Sequence, residues 1–165
     1  MTDRPLQSDF RTFDVIREIA ASPGTVWRLW TDPSLKARWF AEGDGVPHRG
    51  WACDPVEGGV ETCSFRLEAT GWITYAARFI LLQPGRRLVY SYTMAIGDRV
   101  LSASLSTVTM EAADPGTRLV YTEQANFLDG GDRLETRYAG TLALLDNMVE
   151  AARATGHRPG EGAGS

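Results

Sequence analysis

The sequence predicts an α+β fold in which a curved antiparallel sheet of about six to seven strands wraps around a long C-terminal helix. Runs of β-type residues joined by very short turns fill the middle of the chain, and an amphipathic helical pattern follows them. Two helix-start signals lie just after the first strand. Such short connections favour antiparallel neighbours, because parallel strands need long crossovers.

The strands are predicted from β-branched and aromatic residues bounded by turn sequences. The first strand covers residues 12–20, and strand-like periodicity returns at Trp51. Later strands are predicted at residues 62–69, 72–82, 87–96, 100–111 and 117–127. Both faces of the run 100–111 are similarly apolar, so its cavity face stays unassigned. A covered outer sheet face, as in a dimer, would also explain that run.

Two short helices are predicted after the first strand. Ser22-Pro23 and Asp32-Pro33 each combine a residue that caps a helix with a proline suited to its first position. The first helix continues through Trp27 and the second through Trp39. Residues 41–50, rich in glycine, are expected to form a loop.

The last element is the clearest. Apolar residues recur at three- and four-residue steps, as expected for an amphipathic helix of roughly six turns. The stripe contains Leu134, Tyr138, Leu142, Leu145, Val149 and Ala152, widened by Thr141, Leu144 and Met148. We expect one domain at residues 12–155, with flexible termini at 1–11 and 156–165.

Composition excludes several classes of function. The net charge is −4 and the 17 basic residues form no run, which argues against nucleic acid and anionic membranes as partners. No segment approaches the roughly 20 apolar residues of a membrane span. We therefore expect a cytoplasmic protein, a monomer or weak homodimer, with reduced cysteines.

Three separated segments resemble one family in the same order. They are AASPGTVWRLWTDPSLKARWF at 20–40, GTRLVYTE at 116–123 and RYAGTLALLDNMVEA at 137–151. The family is the activator-of-heat-shock-protein-90-ATPase homologue group, within the START-like (SRPBCC) superfamily. The resemblance implies a helix-grip fold with a hydrophobic cavity, and relatives that bind lipids or act as cyclases or hydrolases. Gly140-Thr141 stands where the family usually has Gly-Trp, which implies a different cavity.

The sequence contains no convincing catalytic constellation. It lacks GxSxG, HExxH, CxxC, Walker and GxGxxG motifs, so no cofactor or metal is expected. Alternation along residues 117–127 turns Glu123 inward, where a carboxylate needs a partner, and Arg137 could supply it. The pair could orient a ligand, act in acid–base chemistry or be purely structural. His48, in the predicted loop, is the remaining candidate, and His157 falls in the C-terminal tail.

Aromatic and apolar residues form the candidate ligand-binding set, because apolar sites have aromatic walls with a few polar groups. Packing alone is the alternative for each of them. The set consists of Trp27, Trp30, Trp39, Tyr75, Phe79, Tyr90, Tyr92, Leu119, Tyr121, Glu123, Tyr138, Thr141, Leu145 and Met148.

Cys53 and Cys63 lie nearly symmetrically about Gly58, so a hairpin would place them roughly opposite each other. Free buried thiols are preferred over a cross-strand disulfide, and the spacing with His48 does not fit a zinc site.

Three functions stay open. The leading hypothesis is binding of a small hydrophobic molecule, of the lipid or polyketide type, in a cavity between sheet and helix. The alternatives are a cavity-based cyclase- or hydrolase-like enzyme using Glu123 with Tyr121 and Arg137, and a protein-interaction or cochaperone-like module.

Overall fold

The computed structural model describes residues 4–156. Seven strands and three helices follow one another along the chain. They are β1 (Ser8–Ile19), α1 (Pro23–Thr31), α2 (Pro33–Phe40), β2 (His48–Cys53), β3 (Val60–Leu67), β4 (Gly71–Gln83), β5 (Arg87–Ile96), β6 (Arg99–Ala113), β7 (Gly116–Leu128) and α3 (Leu134–Gly156).

The strands form one curved antiparallel sheet in the order β1-β7-β6-β5-β4-β3-β2. Strands β2 to β7 therefore pair with their neighbours in sequence, as the short turns predict. Strand β1 pairs with β7 instead, from Ser8 opposite Leu128 to Ile19 opposite Thr117. The predicted α+β architecture, with two short helices after the first strand, is confirmed.

The start signals place α1 and α2. The side chain of Ser22 accepts a hydrogen bond from the Thr25 amide (3.2 Å), and Asp32 accepts one from the Ser34 amide (3.0 Å). These bonds satisfy amides that lack a partner within the helix. None of the helices between residues 4 and 156 is long and apolar enough to span a membrane.

Two predicted boundaries differ from the structure. Strand β1 begins at Ser8, four residues early, so residues 8–11 belong to the sheet rather than to a flexible arm. His48 is the first residue of β2 and not part of a loop. Of the predicted flexible termini, residues 1–3 and 157–165, including His157, lie outside the described residues.

The inward face of α3 is rotated relative to the predicted stripe. Arg137 is buried, whereas Tyr138 is 39% exposed and stands edge-on against Phe13, with ring centroids 5.5 Å apart. Apolar periodicity alone places a tyrosine inside in preference to an arginine. The helix turns the other way because Arg137 has buried polar partners.

Candidate functional site

Glu123 and Arg137 form a buried ion pair on the concave side of the sheet. Arg137 Nη1 lies 2.7 Å from Glu123 Oε1, and Glu123 is 0% exposed. The same oxygen accepts hydrogen bonds from Tyr92 (2.7 Å) and Ser104 (2.8 Å), while Oε2 accepts one from Tyr121 (2.8 Å). The inward orientation of Glu123 and its partner are thus as the sequence predicts.

Arg137 also ties the start of α3 to the sheet. Its Nη2 donates to Ser102 Oγ (2.6 Å) and to Asp132 Oδ2 (2.8 Å), in the turn before the helix. Burial alone lowers the pKa of Arg137, but Tyr92, Glu123 and Asp132 outweigh burial and raise the pKa above its ordinary value. The guanidinium therefore stays charged in the core.

The polar network assigns the face of β6 that the sequence leaves open. Ser102 and Ser106 are 0% exposed and Ser104 is 6% exposed, all on the concave side. The three hydroxyls serve Arg137, Glu123 and Tyr121. Hydropathy alone does not assign these serines to either face of β6. They lie inside because the buried carboxylate and guanidinium need hydrogen-bond partners there.

A second buried ion pair, between Lys36 and Glu61, is absent from the sequence prediction. Lys36 is 1% exposed and Glu61 is 0% exposed, with Lys36 Nζ 2.9 Å and 2.7 Å from the two carboxylate oxygens. Tyr75 donates to Glu61 Oε1 at 2.8 Å, and Cys53 Sγ donates to Oε2 at 3.1 Å. Every oxygen of this carboxylate therefore has two donors.

Aromatic rings enclose the Lys36 ammonium on its remaining sides. Five ring centroids lie between 5.2 and 5.9 Å from Nζ, within the range of cation–π attraction. The rings belong to Trp30, Trp39, Phe40, Phe79 and Tyr90. Ion pairing and ring faces together compensate for the loss of water around the ammonium.

Sequence signals for this pair exist. Lys36 is three residues before Trp39 and four before Phe40, so all three share one side of α2. In β3, alternation puts Glu61 on the same face as Cys63, which is 1% exposed. A charged residue on an otherwise apolar face is therefore the signal that predicts both Lys36 and Glu61 to be buried.

The two ion pairs meet through tyrosines. The rings of Tyr75 and Tyr92 are 5.1 Å apart, and each hydroxyl donates to one of the buried carboxylates. Burial is the main reason that the pKa of Tyr75, Tyr92 and Tyr121 lies well above the ordinary tyrosine value, and the nearby carboxylates raise it further. Their hydroxyls stay protonated and act as donors.

A half-buried apolar group covers these tyrosines. We call Phe40, Trp51, Phe65 and Met94 the rim cluster. Phe40 touches the rings of Trp51 (5.6 Å), Phe65 (5.9 Å) and Tyr75 (4.9 Å). Met94 stands opposite Tyr75 in the β4–β5 ladder. All four members are partly exposed, so solvent comes near the polar core here.

The structure places most of the predicted ligand-binding set in the packed core. Buried members are Trp30, Trp39, Tyr75, Phe79, Tyr90, Tyr92, Leu119, Tyr121, Glu123, Thr141, Leu145 and Met148. Trp27 is partly exposed, Tyr138 is at the surface, and His48 is exposed on β2, away from any described acid or base partner. The ligand-binding role of the predicted set and the catalytic role of His48 stay predictions.

Surface depressions occur elsewhere. One of about 430 Å³ lies where α1 and α2 approach α3, next to Leu35, Arg38 and Asn147. A shallower one of about 350 Å³ lies at the β1–α1 corner beside Pro23 and Pro115. Neither is lined by a residue of the predicted set.

The cysteines are free. Cys53 stands opposite Glu61 in the β2–β3 ladder and not opposite Cys63, because the pairing at this end of the hairpin is centred on Glu57 rather than on Gly58. Burial, followed by the charge of Glu61, raises the pKa of Cys53 to about 12 and that of Cys63 to about 11. Within residues 4–156 no group of three or more His, Cys, Asp and Glu side chains is arranged to hold a metal ion.

A long helix gripped by a curved antiparallel sheet, with side chains from both meeting on the concave face, defines a helix-grip protein. The chain belongs to the family described as Activator of Hsp90 ATPase homolog 1-like protein, which it matches over residues 20–153. No curated protein sequence matches it.

Solved structures agree with this assignment. The chain is 32% identical to a putative uncharacterized protein from Rhizobium leguminosarum, with a TM-score of 0.87 over 92% of this chain and 99% of the other. It is 35% identical to a protein from Rhizobium loti, with a TM-score of 0.78 over 88% of this chain and 99% of the other. An AHSA1-like protein from Aeromonas hydrophila, 21% identical, shares the fold with a TM-score of 0.69 over 93% of this chain and 100% of the other.

Proposed function

We propose that the protein binds a small apolar molecule on the concave side of the sheet, at the rim cluster above Tyr75 and Tyr92. One observation carries the proposal. Four large apolar side chains converge there and remain partly exposed, although the tyrosines beneath them are buried. Apolar walls over a few fixed polar groups are typical of small-molecule sites. The helix-grip resemblance adds weight, because it implies relatives that bind lipids and other apolar molecules.

The ligand is expected to enter by moving the rim cluster. Phe40 ends α2 and contacts both Trp51 and Phe65, so a shift of its ring opens the way to Tyr75. Below the tyrosines, the hydroxyls and carboxylates are already bonded to one another. The ligand therefore rests on the tyrosine rings and leaves both ion pairs in place.

Binding is favoured over acid–base catalysis for a geometric reason. Glu123 accepts hydrogen bonds from Arg137, Tyr92, Ser104 and Tyr121 and is 0% exposed. A general base needs a free lone pair within reach of the substrate proton. Glu61 is saturated in the same way by Lys36, Tyr75 and Cys53.

The experiment begins with native mass spectrometry of freshly purified protein beside its denatured mass. Extra mass that disappears on denaturation identifies a co-purified ligand. In parallel, dodecanol, dodecanoate and the fluorescent amine N-phenyl-1-naphthylamine are titrated into the protein. The proposal requires binding of at least one of them, or a co-purified apolar ligand. A bare mass together with no binding would overturn it.

Two variants locate the site. Phe65→Ala removes apolar contact area from the rim cluster and is expected to weaken probe binding roughly tenfold or more. Ile80→Ala is the matched control, since Ile80 is 49% exposed on β4 and alternates with the buried Phe79. Equal affinities for both variants, with unchanged melting, would place the ligand away from the rim cluster.

A further inference from the structure

Strand β1 is an open edge of the sheet. It pairs with β7 on one side, and among the described residues no strand pairs with its other side. At 12 residues it is long for an edge strand, and edges of this kind template pairing with another chain. Proteins usually protect them.

Two contacts show which residues of β1 direct their backbone N–H and C=O groups toward β7 and which direct them outward. The Asp129 amide donates to the carbonyl of Gln7 (3.0 Å), so the amides and carbonyls of odd-numbered β1 residues point toward β7. Arg17 Nη1 donates to the carbonyl of Ile16 (3.0 Å), which agrees with even-numbered residues facing outward. Residues of one antiparallel strand alternate in this way. The outward amides and carbonyls therefore belong to residues 8, 10, 12, 14, 16 and 18.

Several exposed apolar side chains lie along this edge. Phe10 is 74% exposed and Ile16 is 46% exposed, both on the convex side. On the concave side, Phe13 is partly exposed and packs edge-on against Tyr138, which is 39% exposed. Among the described residues, Phe10 and Ile16 therefore leave much of their apolar surface in water.

We propose that this edge joins two copies of the chain, with β1 pairing antiparallel to β1 of the second copy about a two-fold axis at Phe13. This register opposes Phe10 with Ile16 on the convex side and Asp9 with Arg17 on the concave side, each twice. It also brings the two Phe13 rings and the two Tyr138 rings to the axis. Aromatic, β-branched and opposite-charge cross-strand pairs stabilise such a ladder.

Neighbouring registers are unfavourable. Centring the ladder on Asp14 opposes Asp14 with itself and Arg11 with Arg17, so like charges meet. Centring it on Thr12 places Phe10 against Asp14. A slip of one residue would set even-numbered residues, whose amides and carbonyls point outward, against odd-numbered residues, whose groups point toward β7. It would also place convex-side side chains opposite concave-side ones. The register about Phe13 is thus selected by both charge and side-chain type.

Residues already on the surface supply the charged pair. Asp9 bonds Arg11 (2.9 Å) and is about half exposed, and Arg17 bonds Asp146 (2.9 Å) on α3. Re-pairing Arg17 with Asp9 of the second copy frees the Ile16 carbonyl for the inter-chain ladder. The two sheets then continue as one, with both concave sides on the same face.

Sedimentation velocity of the full chain over a range of concentrations tests the proposal. The wild type is expected to show a reversible dimer. Thr12→Pro removes an outward amide that has no partner in the single chain, so the variant should fold and remain monomeric. Thr12→Ala keeps the amide and should dimerise. A wild type that stays monomeric throughout, or a dimer that Thr12→Pro leaves intact, would overturn the proposal.

Charge reversal supplies an independent check should Thr12→Pro fail to fold. Asp9→Lys and Arg17→Glu are each expected to weaken the dimer roughly tenfold, since each places two like-charged pairs in the interface. Combining both changes restores opposite charges and should restore the dimer. Glu111→Lys, at an exposed position of β6, is the control for net charge. Additive weakening in the double variant would refute the register.

Discussion

Replacing Lys36 by methionine removes one half of an ion pair that is closed to solvent. The ammonium is 1% exposed and its partner Glu61 is 0% exposed. Methionine keeps the length and apolar stem of lysine among the surrounding rings. The Glu61 carboxylate keeps its bonds from Tyr75 and Cys53 but loses its opposite charge.

The expected loss of folding free energy is about 3–5 kcal/mol, the usual effect of leaving one buried charge uncompensated. For a domain of this size that corresponds to a fall in melting temperature of roughly 6–20 °C. Lys36→Met combined with Glu61→Gln should be more stable than Lys36→Met alone. The neutral amide oxygen can still accept from Tyr75, and no unpaired charge remains at this position.

Urea unfolding at neutral pH, followed by circular dichroism, measures the three variants. Arg153→Met is the matched control, because Arg153 pairs with Glu150 where both side chains are about two-thirds exposed. Such a pair contributes about 0–1 kcal/mol. If Lys36→Met costs no more than Arg153→Met, or if the double variant is less stable than Lys36→Met, the buried pair does not have the energetic role assigned to it.

Three further outcomes follow from the same contacts. Cys53, with its pKa raised to about 12, should react with iodoacetamide at pH 8 roughly 30- to 100-fold more slowly than an ordinary thiol, because fewer thiolates form although each is more nucleophilic. Glu61→Gln should speed the reaction, and equal rates in the folded and urea-unfolded chain would contradict this. Gly43→Ala should cost about 1–3 kcal/mol, because a Cβ there would lie 2.6 Å from the backbone oxygen of Trp39, which cannot move aside as a side chain could. Gly140→Ala on α3 meets nothing within 4 Å and should stabilise the fold by about 0.5–1 kcal/mol in thermal melts. The buried tyrosines have pKa values raised in the folded state, so their contribution to stability is complete below about pH 10 and is lost as the pH rises above it. Absorbance at 295 nm should show them ionising together with alkaline unfolding. Ionisation near pH 10 in a chain that is still folded would refute this.

The sequence predicts the fold nearly completely, because its signals are local. Proline after a capping residue places both short helices, and turn residues separate the strands. The start of β1 is missed since Ser8–Arg11 are exposed and polar except for Phe10. Only their pairing with β7, more than a hundred residues away, keeps them in the sheet.

The polar core is predicted only in part, because its logic is pairwise. Glu123 and Arg137 are found since alternation turns the acid inward and the helix offers a base. Lys36 and Glu61 belong to a helix and a strand whose apolar patterns are weak, so neither is noticed alone. A buried charge becomes predictable only when its partner is considered at the same time.

The two saturated carboxylates also bear on the kind of ligand that the rim cluster would take. A polar head group gains little from the core, because Tyr75 and Tyr92 already donate to Glu61 and Glu123 and would have to break strong bonds to serve a ligand. Affinity should then follow the apolar area that the rim cluster buries rather than the chemistry of the head group. Dodecanol and dodecanoate should accordingly bind with similar affinity. For either head group, shortening the alkyl chain should weaken binding. A strong preference for the carboxylate would instead mean that the ligand reaches Arg137 and displaces Asp132, the more exposed of its two acidic partners.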